Sequence, residues 1–399
     1  MKRSEISGAA SKRRAVMFVV LLGIVSLFAD MTYEGARSIT GPYLASFGAS
    51  ATIVGIVAGL GELIGYGVRL ISGYLSDRTK RYWAITLFGY VVNLLAVPLL
   101  ALAGHWEVAA ALMIAERFGK AVRNPPRDVM LSHATSEIGR GWGFGLHEAL
   151  DQIGAVLGPL IVSAVLFLKG TYRSSFAVLL IPALIAISIL IVARILYPSP
   201  RDMEVASEEP SSRGFPKVYW LYLAAVAFIA AGYADYPLIA YHFGKVSSVP
   251  MDWIPVFYAV AMGVDALAAL VFGRLFDRVG LAVMIGAVVL SALFAPLVFL
   301  GGFGLALAGV SLWGIGMGAQ ESIMRAAIAG MIPADRRGTA YGVFNTGYGV
   351  FWFAGSALMG YLYDISITSL VAFSIVAQLI SVPLLTLVAR RQDVEMSAR

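Results

Sequence analysis

Long apolar segments recur along the whole chain, and each is long enough to cross a lipid bilayer. A helix needs about 20 apolar residues to span the hydrocarbon core. The sequence contains twelve such segments joined by short polar loops, at residues 15–43, 52–76, 82–103, 106–128, 141–168, 173–196, 217–243, 253–275, 280–300, 304–331, 338–363 and 366–389. This pattern predicts an all-α polytopic membrane protein with twelve transmembrane helices and no extramembrane domain.

One longer polar segment divides the predicted helices into two groups of six. Residues 197–216 are rich in proline, serine and charge, a composition typical of a flexible linker. The sequence therefore predicts an N-terminal six-helix bundle over 1–196, a cytoplasmic linker over 197–216 and a C-terminal six-helix bundle over 217–399.

Short motifs of the first half recur in the second. The hexapeptide GYLSDR, residues 73–78, returns as GRLFDR, residues 273–278, at an offset of 200 residues. Gly158 returns as Gly355, at an offset of 197 residues. Parallel repeats of this kind are typical of transporters whose binding site lies near the membrane midplane, between the two halves.

Several of these motifs carry a family resemblance. GYLSDRTKR, residues 73–81, resembles the loop between helices 2 and 3 of the major facilitator superfamily, and the Gly154-x-x-x-Gly158-Pro159 pattern resembles a helix-5 motif of its antiporters. GKAVRNPPRDVML and GFGLHEALDQIGAVLGPL resemble the branch that includes nickel- and cobalt-resistance exporters. The resemblance implies two six-helix bundles in the major facilitator fold, which work by rocking around a central site.

The positive charges predict an orientation. Of the 30 Lys and Arg residues, twenty-one fall in segments or span ends that are cytoplasmic if the N-terminus is inside, three in outer loops or at their edges and six deeper within spans. The positive-inside rule then places both termini in the cytoplasm of a multi-pass protein of the cell inner (plasma) membrane. Because the bases flank membrane spans, the net charge of +6 does not indicate a nucleic-acid partner. The chain has no cysteine, which excludes a disulfide or a thiolate site.

Charged residues inside the spans are the candidate functional groups. Each costs roughly 2.5–3.5 kcal/mol to place at the membrane centre, so such residues usually face a cavity and have a function. The candidates for substrate binding or proton coupling are Asp30, Tyr33, Glu34, Glu62, Arg69, Glu116, Arg117, Lys120, Glu148, Asp151, Asp235, Glu321 and Arg325.

The first predicted helix carries three charges on one face. Asp30, Glu34 and Arg37 are spaced i, i+4 and i+7. Two carboxylates on one face disfavour double ionisation, which makes one of them a candidate proton carrier. The alternative is a structural ladder of ion pairs that Arg37 closes.

The fourth predicted helix carries a mixture of charges and two prolines. Glu116 and Lys120 are four residues apart and are expected to pair within the helix. Pro125-Pro126 is expected to kink or end it. By its place in the family pattern, Arg117 is expected to take part in proton coupling.

The fifth predicted helix offers one metal candidate. His147 and Asp151 are four residues apart in the segment HEALD. The alternatives for His147 are a metal ligand and a hydrogen-bonded packing residue.

Two further sets of residues are candidates for gating. Asp77 and Arg78, with Gly73 before them and Asp277 and Arg278 as their repeat, are expected to form inner latches that bond to a neighbouring helix in one state. Gly154, Gly158 and Pro159 are expected to let two helices approach closely and to bend one of them.

These patterns predict a monomeric secondary transporter without a cofactor. The chain has no phosphate-binding loop, so ATP is not expected to drive transport. The expected function is proton-coupled antiport that exports a small organic solute. The alternative is efflux of a divalent transition metal such as nickel or cobalt. A hydrolase would need a Ser/His or two-His/Glu constellation that the spans lack, so the protein is not expected to be an enzyme.

Overall fold

The fold is that of a computed structural model, which describes residues 2–135, 140–198, 214–333 and 336–397. The described residues are mostly helical and contain no strand. The helices are α1 (Lys2–Ser46), α2 (Ala51–Thr79), α3 (Tyr82–Leu99), α4 (Trp106–Thr135), α5 (Arg140–Phe167), α6 (Tyr172–Val178), α7 (Leu180–Leu196), α8 (Lys217–Gly232), α9 (Tyr236–Val246), α10 (Ile254–Val279), α11 (Ala282–Ser291), α12 (Phe294–Leu300), α13 (Phe303–Met331), α14 (Arg337–Ile365) and α15 (Ile367–Ser397).

Ten helical segments of the described chain are long and apolar enough to cross a membrane. Three of these segments consist of two consecutive helices, namely α6 with α7, α8 with α9, and α11 with α12. The predicted fourth and eleventh spans coincide with α4 and α14, which are 30 and 29 residues long and lie outside those ten. Helix α4 lies outside the ten because it carries several charged residues. The predicted all-α polytopic fold is confirmed.

Contacts divide the chain into two compact units. The first comprises Met1–Ala36 and Gly67–Ser207, and the second comprises Arg37–Tyr66 and Glu208–Arg399. The end of α1 and the start of α2 thus belong to the same unit as the C-terminal helices. The predicted linker lies largely outside the described residues, and the predicted domain boundaries stay a prediction.

The core of the first unit is built by helices α1, α3, α4 and α7. Each contributes apolar side chains that are almost fully buried, among them Leu22, Leu94, Leu131 and Leu190. Burial of this apolar stripe fixes which face of α1 and α4 remains for polar side chains.

Glycines allow α5 to lie directly against α1 in the first unit. A Cβ atom at Gly154 would clash with the carbonyl oxygen of Leu27, and one at Gly158 would clash with that of Met31. The repeat-related Gly355 on α14 meets Ala231 of α8 in the same way within the second unit. Small residues at these positions let helix backbones approach, as the sequence predicts, and a role in gating stays a prediction.

Helix α4 runs through both of its prolines. The sequence predicts a kink or an end at Pro125-Pro126, whereas the helix continues to Thr135. Pro126 lacks the N–H that would bond to the carbonyl oxygen of Val122, and the buried hydroxyl of Ser72 donates to that oxygen at 2.6 Å instead. The neighbouring helix α2 thereby supplies a bond that proline removes, so the prediction of a helix end is wrong.

Candidate functional site

Two rows of opposite charge face each other in the first unit, one on α1 and one on α4. Asp30 and Glu34 form the acidic row and are 6% and 7% exposed. Lys120 and Arg123 form the basic row. Asp30 Oδ1 lies 3.9 Å from Nη2 of Arg123, and Glu34 Oε1 lies 3.8 Å from Nζ of Lys120. Spacings of four and three residues place each row on one helix face. We call these four residues the facing rows.

Two tyrosine rings lie against the basic row. Nζ of Lys120 is 3.7 Å from the ring centroid of Tyr33, and Cζ of Arg123 is 4.2 Å from the centroid of Tyr90 and 5.7 Å from that of Tyr33. Aromatic faces attract cations over these distances. Both rings are buried, so they stabilise the two bases away from water.

Helix α3 packs closely on α4, and this packing positions Glu116. A Cβ atom at Gly119 would clash with the backbone of Asn93, and one at Gly89 would crowd the carbonyl oxygen of Gly119. The resulting proximity lets Nδ2 of Asn93 donate to Oε1 of Glu116 at 2.8 Å. The same carboxylate lies 3.4 Å from Nε of Arg117. Glu116 is therefore held toward α3.

Lys120 links α4 to α1. Its Nζ pairs with Glu34 of α1 at 3.8 Å, while Asn93 of α3 binds Glu116. The pairing of Glu116 with Lys120 within the helix, which the sequence allows, stays a prediction.

Arg127 differs from Arg123 in how its donors are used. Nε and Nη2 of Arg127 donate to Oδ1 of Asp128 at 3.0 and 2.8 Å, and Nη1 donates to the hydroxyl of Ser26 at 3.2 Å. Each nitrogen of this guanidinium has a partner, which is typical of a structural arginine.

Two of the α5 candidates, His147 and Asp151, lie close to each other. His147 is buried, and its Nε2 lies 3.8 Å from Oδ2 of Asp151. Asp151 also acts electrostatically on Asp30. In the part of the chain that the structure describes, no group of three or more His, Cys, Asp or Glu side chains is placed to hold a metal ion. The described residues therefore add no ligand set to His147 that would support a metal site.

The second unit contains its own cluster of buried charge. Nη2 of Arg37 donates to Oε1 of Glu62 at 3.0 Å and to Oδ1 of Asp235 at 3.1 Å. Oδ2 of Asp235 accepts from Nε1 of Trp352 at 2.8 Å and from the hydroxyl of Ser356 at 2.9 Å. Asp235 is only 1% exposed. We call Arg37, Glu62 and Asp235 the arginine triad.

A break between α8 and α9 brings Asp235 into this position. Residues 233–235 are not helical, and side chains of other helices bond to backbone carbonyl oxygens at this break. The carbonyl oxygen of Gly232 accepts from the hydroxyl of Ser374 at 2.7 Å, and that of Ala234 accepts from Nε1 of Trp313 at 2.9 Å. Non-helical backbone at membrane depth is tolerated where protein groups satisfy it in this way.

The remaining predicted residues lie elsewhere. Arg69 is partly buried on α2, and the other predicted coupling and latch residues lie on exposed helix faces, namely Glu148, Glu321, Arg325, Asp77, Arg78, Asp277 and Arg278. Nη1 of Arg78 donates to the hydroxyl of Tyr74 one turn back in α2, at 3.1 Å. The roles of all these residues stay predictions.

Two arginines of these clusters are absent from the set of residues predicted to bind substrate or protons. Arg37 looks like the end of a ladder on α1, and Arg123 looks like a side chain that extends to lipid headgroups. The signal that could have identified Arg123 is its spacing of three residues from Lys120, which places both on one face of α4. No signal in the sequence links Arg37 to Asp235, because 198 residues separate them.

The fold and the sequence identify the class of protein. The profile of the Major Facilitator Superfamily matches residues 20–356 and 221–398. The chain belongs to this superfamily and is a multi-pass membrane transporter. The solved structures that it resembles are those of transporters, and carriers of this superfamily take small-molecule substrates.

Individual proteins show how far the likeness extends. The chain is 42% identical to the uncharacterized protein Rv2265 of Mycobacterium tuberculosis over 95% of its own length and 94% of that protein. It is 28% identical to the uncharacterized MFS-type transporter MJ1317 of Methanocaldococcus jannaschii, over 87% and 89% of the two chains. The crystal structure of the nucleoside transporter NupG superposes with a TM-score of 0.74 at 12% identity, over 94% and 99% of the two chains, which shows the shared fold alone.

Proposed function

We propose that this transporter is a proton-coupled antiporter that exports a small organic solute across the cell inner membrane, with both termini in the cytoplasm. The observation that carries the proposal is the arrangement of the facing rows, where two buried carboxylates on α1 lie opposite two bases on α4. Alternating access would expose these residues to each side in turn.

Asp30 is the proposed proton carrier. The groups that act on it electrostatically are Asp151 of α5, Lys120 and Arg123 of α4, and Glu34 of its own helix. Because it is buried beside two other carboxylates, its proton and a positively charged substrate group are alternative ways to balance its charge. Alternative occupancy of one site by a proton and a substrate is what an exchanger requires.

An organic solute is favoured over a metal ion. Nickel and cobalt prefer imidazole among their ligands, and the described residues contain no group of three or more His, Cys, Asp or Glu side chains placed to hold a metal ion. Lys120 and Arg123 would also repel a dication. The resemblance to nickel- and cobalt-resistance exporters remains the argument for the metal alternative.

The experiment uses inside-out membrane vesicles that contain the protein and an imposed pH gradient, followed with a pH-sensitive dye. The added compounds are ethidium, uridine, L-phenylalanine, the dipeptide alanyl-phenylalanine and Ni²⁺. We expect an organic compound to release protons in the wild type. Asp30→Asn should reduce the initial rate of this release at least tenfold, while exchange of labelled for unlabelled compound without a gradient continues when the compound is saturating.

Glu107→Gln is the matched control, because Glu107 is an exposed carboxylate at the start of α4. It should leave proton release unchanged. Undiminished release in both Asp30→Asn and Glu34→Gln would refute the proposed carrier, and release that only Ni²⁺ evokes would establish the metal alternative.

A further inference from the structure

We infer that the facing rows bind a zwitterion, with an ammonium group of the substrate at Asp30 and Glu34 and a carboxylate at Arg123. This inference rests on the proposed function, since it names the substrate class of the same site. It depends on how Arg123 is bonded, on the position of Lys120 and on the charge balance of the two rows.

Arg123 has hydrogen-bond donors that the described protein does not use. A guanidinium carries five N–H groups in a planar fork, and this one is completely buried. Its face lies over Tyr90, but its Nε and Nη1 have no hydrogen-bond partner among the described residues. Its nearest acid, Asp30, is 3.9 Å away, which is beyond the usual 2.7–3.2 Å of an N–H···O bond.

Buried donors without a partner are costly, because they lose their bonds to water. The ligand that best fits an arginine fork is a carboxylate, which accepts two parallel bonds. Arg127 lies one turn further along α4 and has a partner for each of its nitrogens. Unused donors are therefore a property of Arg123 and not of every arginine on this helix.

Lys120 already shows how the site holds an ammonium group. Its Nζ lies over the ring of Tyr33 at 3.7 Å and 3.8 Å from Glu34. An aromatic face beside a carboxylate is a favourable environment for a primary amine. A substrate ammonium that reached the acidic row would meet the same two groups and Asp30 as well.

The charge balance of the rows favours a substrate with both charges. Two carboxylates face two bases, so the charges of the facing rows sum to zero when all four are ionised, and Asp151 adds a negative charge beside Asp30. A zwitterion leaves this sum unchanged, whereas a substrate with one charge changes it in a buried site, where an uncompensated charge is costly. A proton on Asp30 competes with the substrate ammonium, and this competition links the inference to antiport.

The test is calorimetry of the purified full chain with three matched probes: alanyl-phenylalanine, its C-terminal amide and its N-acetyl derivative. The amide keeps only the ammonium and the N-acetyl compound keeps only the carboxylate. We expect the zwitterion to bind at least tenfold more tightly than either. Arg123→Gln should weaken the zwitterion at least tenfold but change the amide less than threefold, and Arg123→Lys should recover part of the loss.

Arg127→Gln is the control, because it removes the same charge one turn away from a guanidinium whose partners are all internal. It should leave the order of the three affinities unchanged. If Arg123→Gln does not fold, Asp30→Asn provides the second variant and should weaken the zwitterion and the amide but not the N-acetyl compound.

The inference is overturned if the amide or the N-acetyl compound binds as tightly as the zwitterion, if Arg123→Gln leaves their order unchanged, or if none of the three binds. Proton release by ethidium without zwitterion binding would leave the proposed function standing and reject the inference. Zwitterion binding and exchange without proton movement would keep the inference and reject proton coupling.

Discussion

Arg37 pairs with two carboxylates in the second unit through one guanidinium. Its Nη2 bonds to Glu62 and Asp235, and the second oxygen of Asp235 is held by Trp352 and Ser356. A buried charge is tolerated in a membrane protein when its partners come with it. The structure thus pairs Arg37 with carboxylates of other helices. The sequence alone also allows an ion-pair ladder along α1.

We predict that Arg37→Met lowers the free energy of unfolding by about 3–5 kcal/mol, because it leaves a buried carboxylate without its cation. The measurement is denaturation of the purified protein in detergent. The double variant Arg37→Met, Asp235→Asn should regain part of the loss. Arg274→Met is the control, since Arg274 is exposed on α10, and it should change stability by no more than about 0.5 kcal/mol. An equal loss in both variants would contradict the role of the arginine triad.

Helix contacts through glycine are the feature that recurs at the scale of elements. Gly158 lets α5 meet α1 in the first unit, and Gly355 lets α14 meet α8 in the second. These two glycines are related by the sequence repeat. The repeated glycine, which in the sequence resembles part of a gating motif, therefore has a packing role in the described part of the chain.

The packing role predicts opposite signs for two alanine substitutions on α5. Gly158→Ala should destabilise the protein by about 1–3 kcal/mol, because its Cβ meets the backbone of Met31 and Gly35. Gly145→Ala should be neutral or stabilising by up to about 1 kcal/mol, because nothing lies within 4 Å of its Cβ and alanine favours a helix. The midpoint of thermal unfolding distinguishes them, and a stabilising Gly158→Ala would show that the helices have room to separate.

At the scale of the whole molecule, the distribution of Lys and Arg predicts how the protein is oriented in the membrane. Since the chain has no cysteine, single cysteines report sidedness without background. Leu168 is 84% exposed in the loop after α5, and Arg81 is exposed between α2 and α3. The positive-inside rule places the first position outside and the second in the cytoplasm.

We predict that an impermeant maleimide labels Leu168→Cys in intact cells and labels Arg81→Cys only after the membrane is opened. The unmodified chain should not be labelled in either condition. Labelling of Arg81→Cys in intact cells would reverse the proposed orientation of the protein and therefore the direction assigned to transport.

The sequence by itself determined the class of fold, because bilayer thickness sets the length of an apolar helix and repeated motifs show that the halves are alike. It also identified Asp30 and Glu34, since charge inside a span is expensive wherever it occurs. Only the tertiary structure decided which charges meet. Lys120 pairs with Glu34 of a neighbouring helix, and Asn93 of another helix binds Glu116. Helix α4 continues because Ser72 replaces a bond lost to Pro126, and Arg37 reaches Asp235 across 198 residues. Partner choice depends on helix packing and not on local periodicity, so it has no signature in a single sequence.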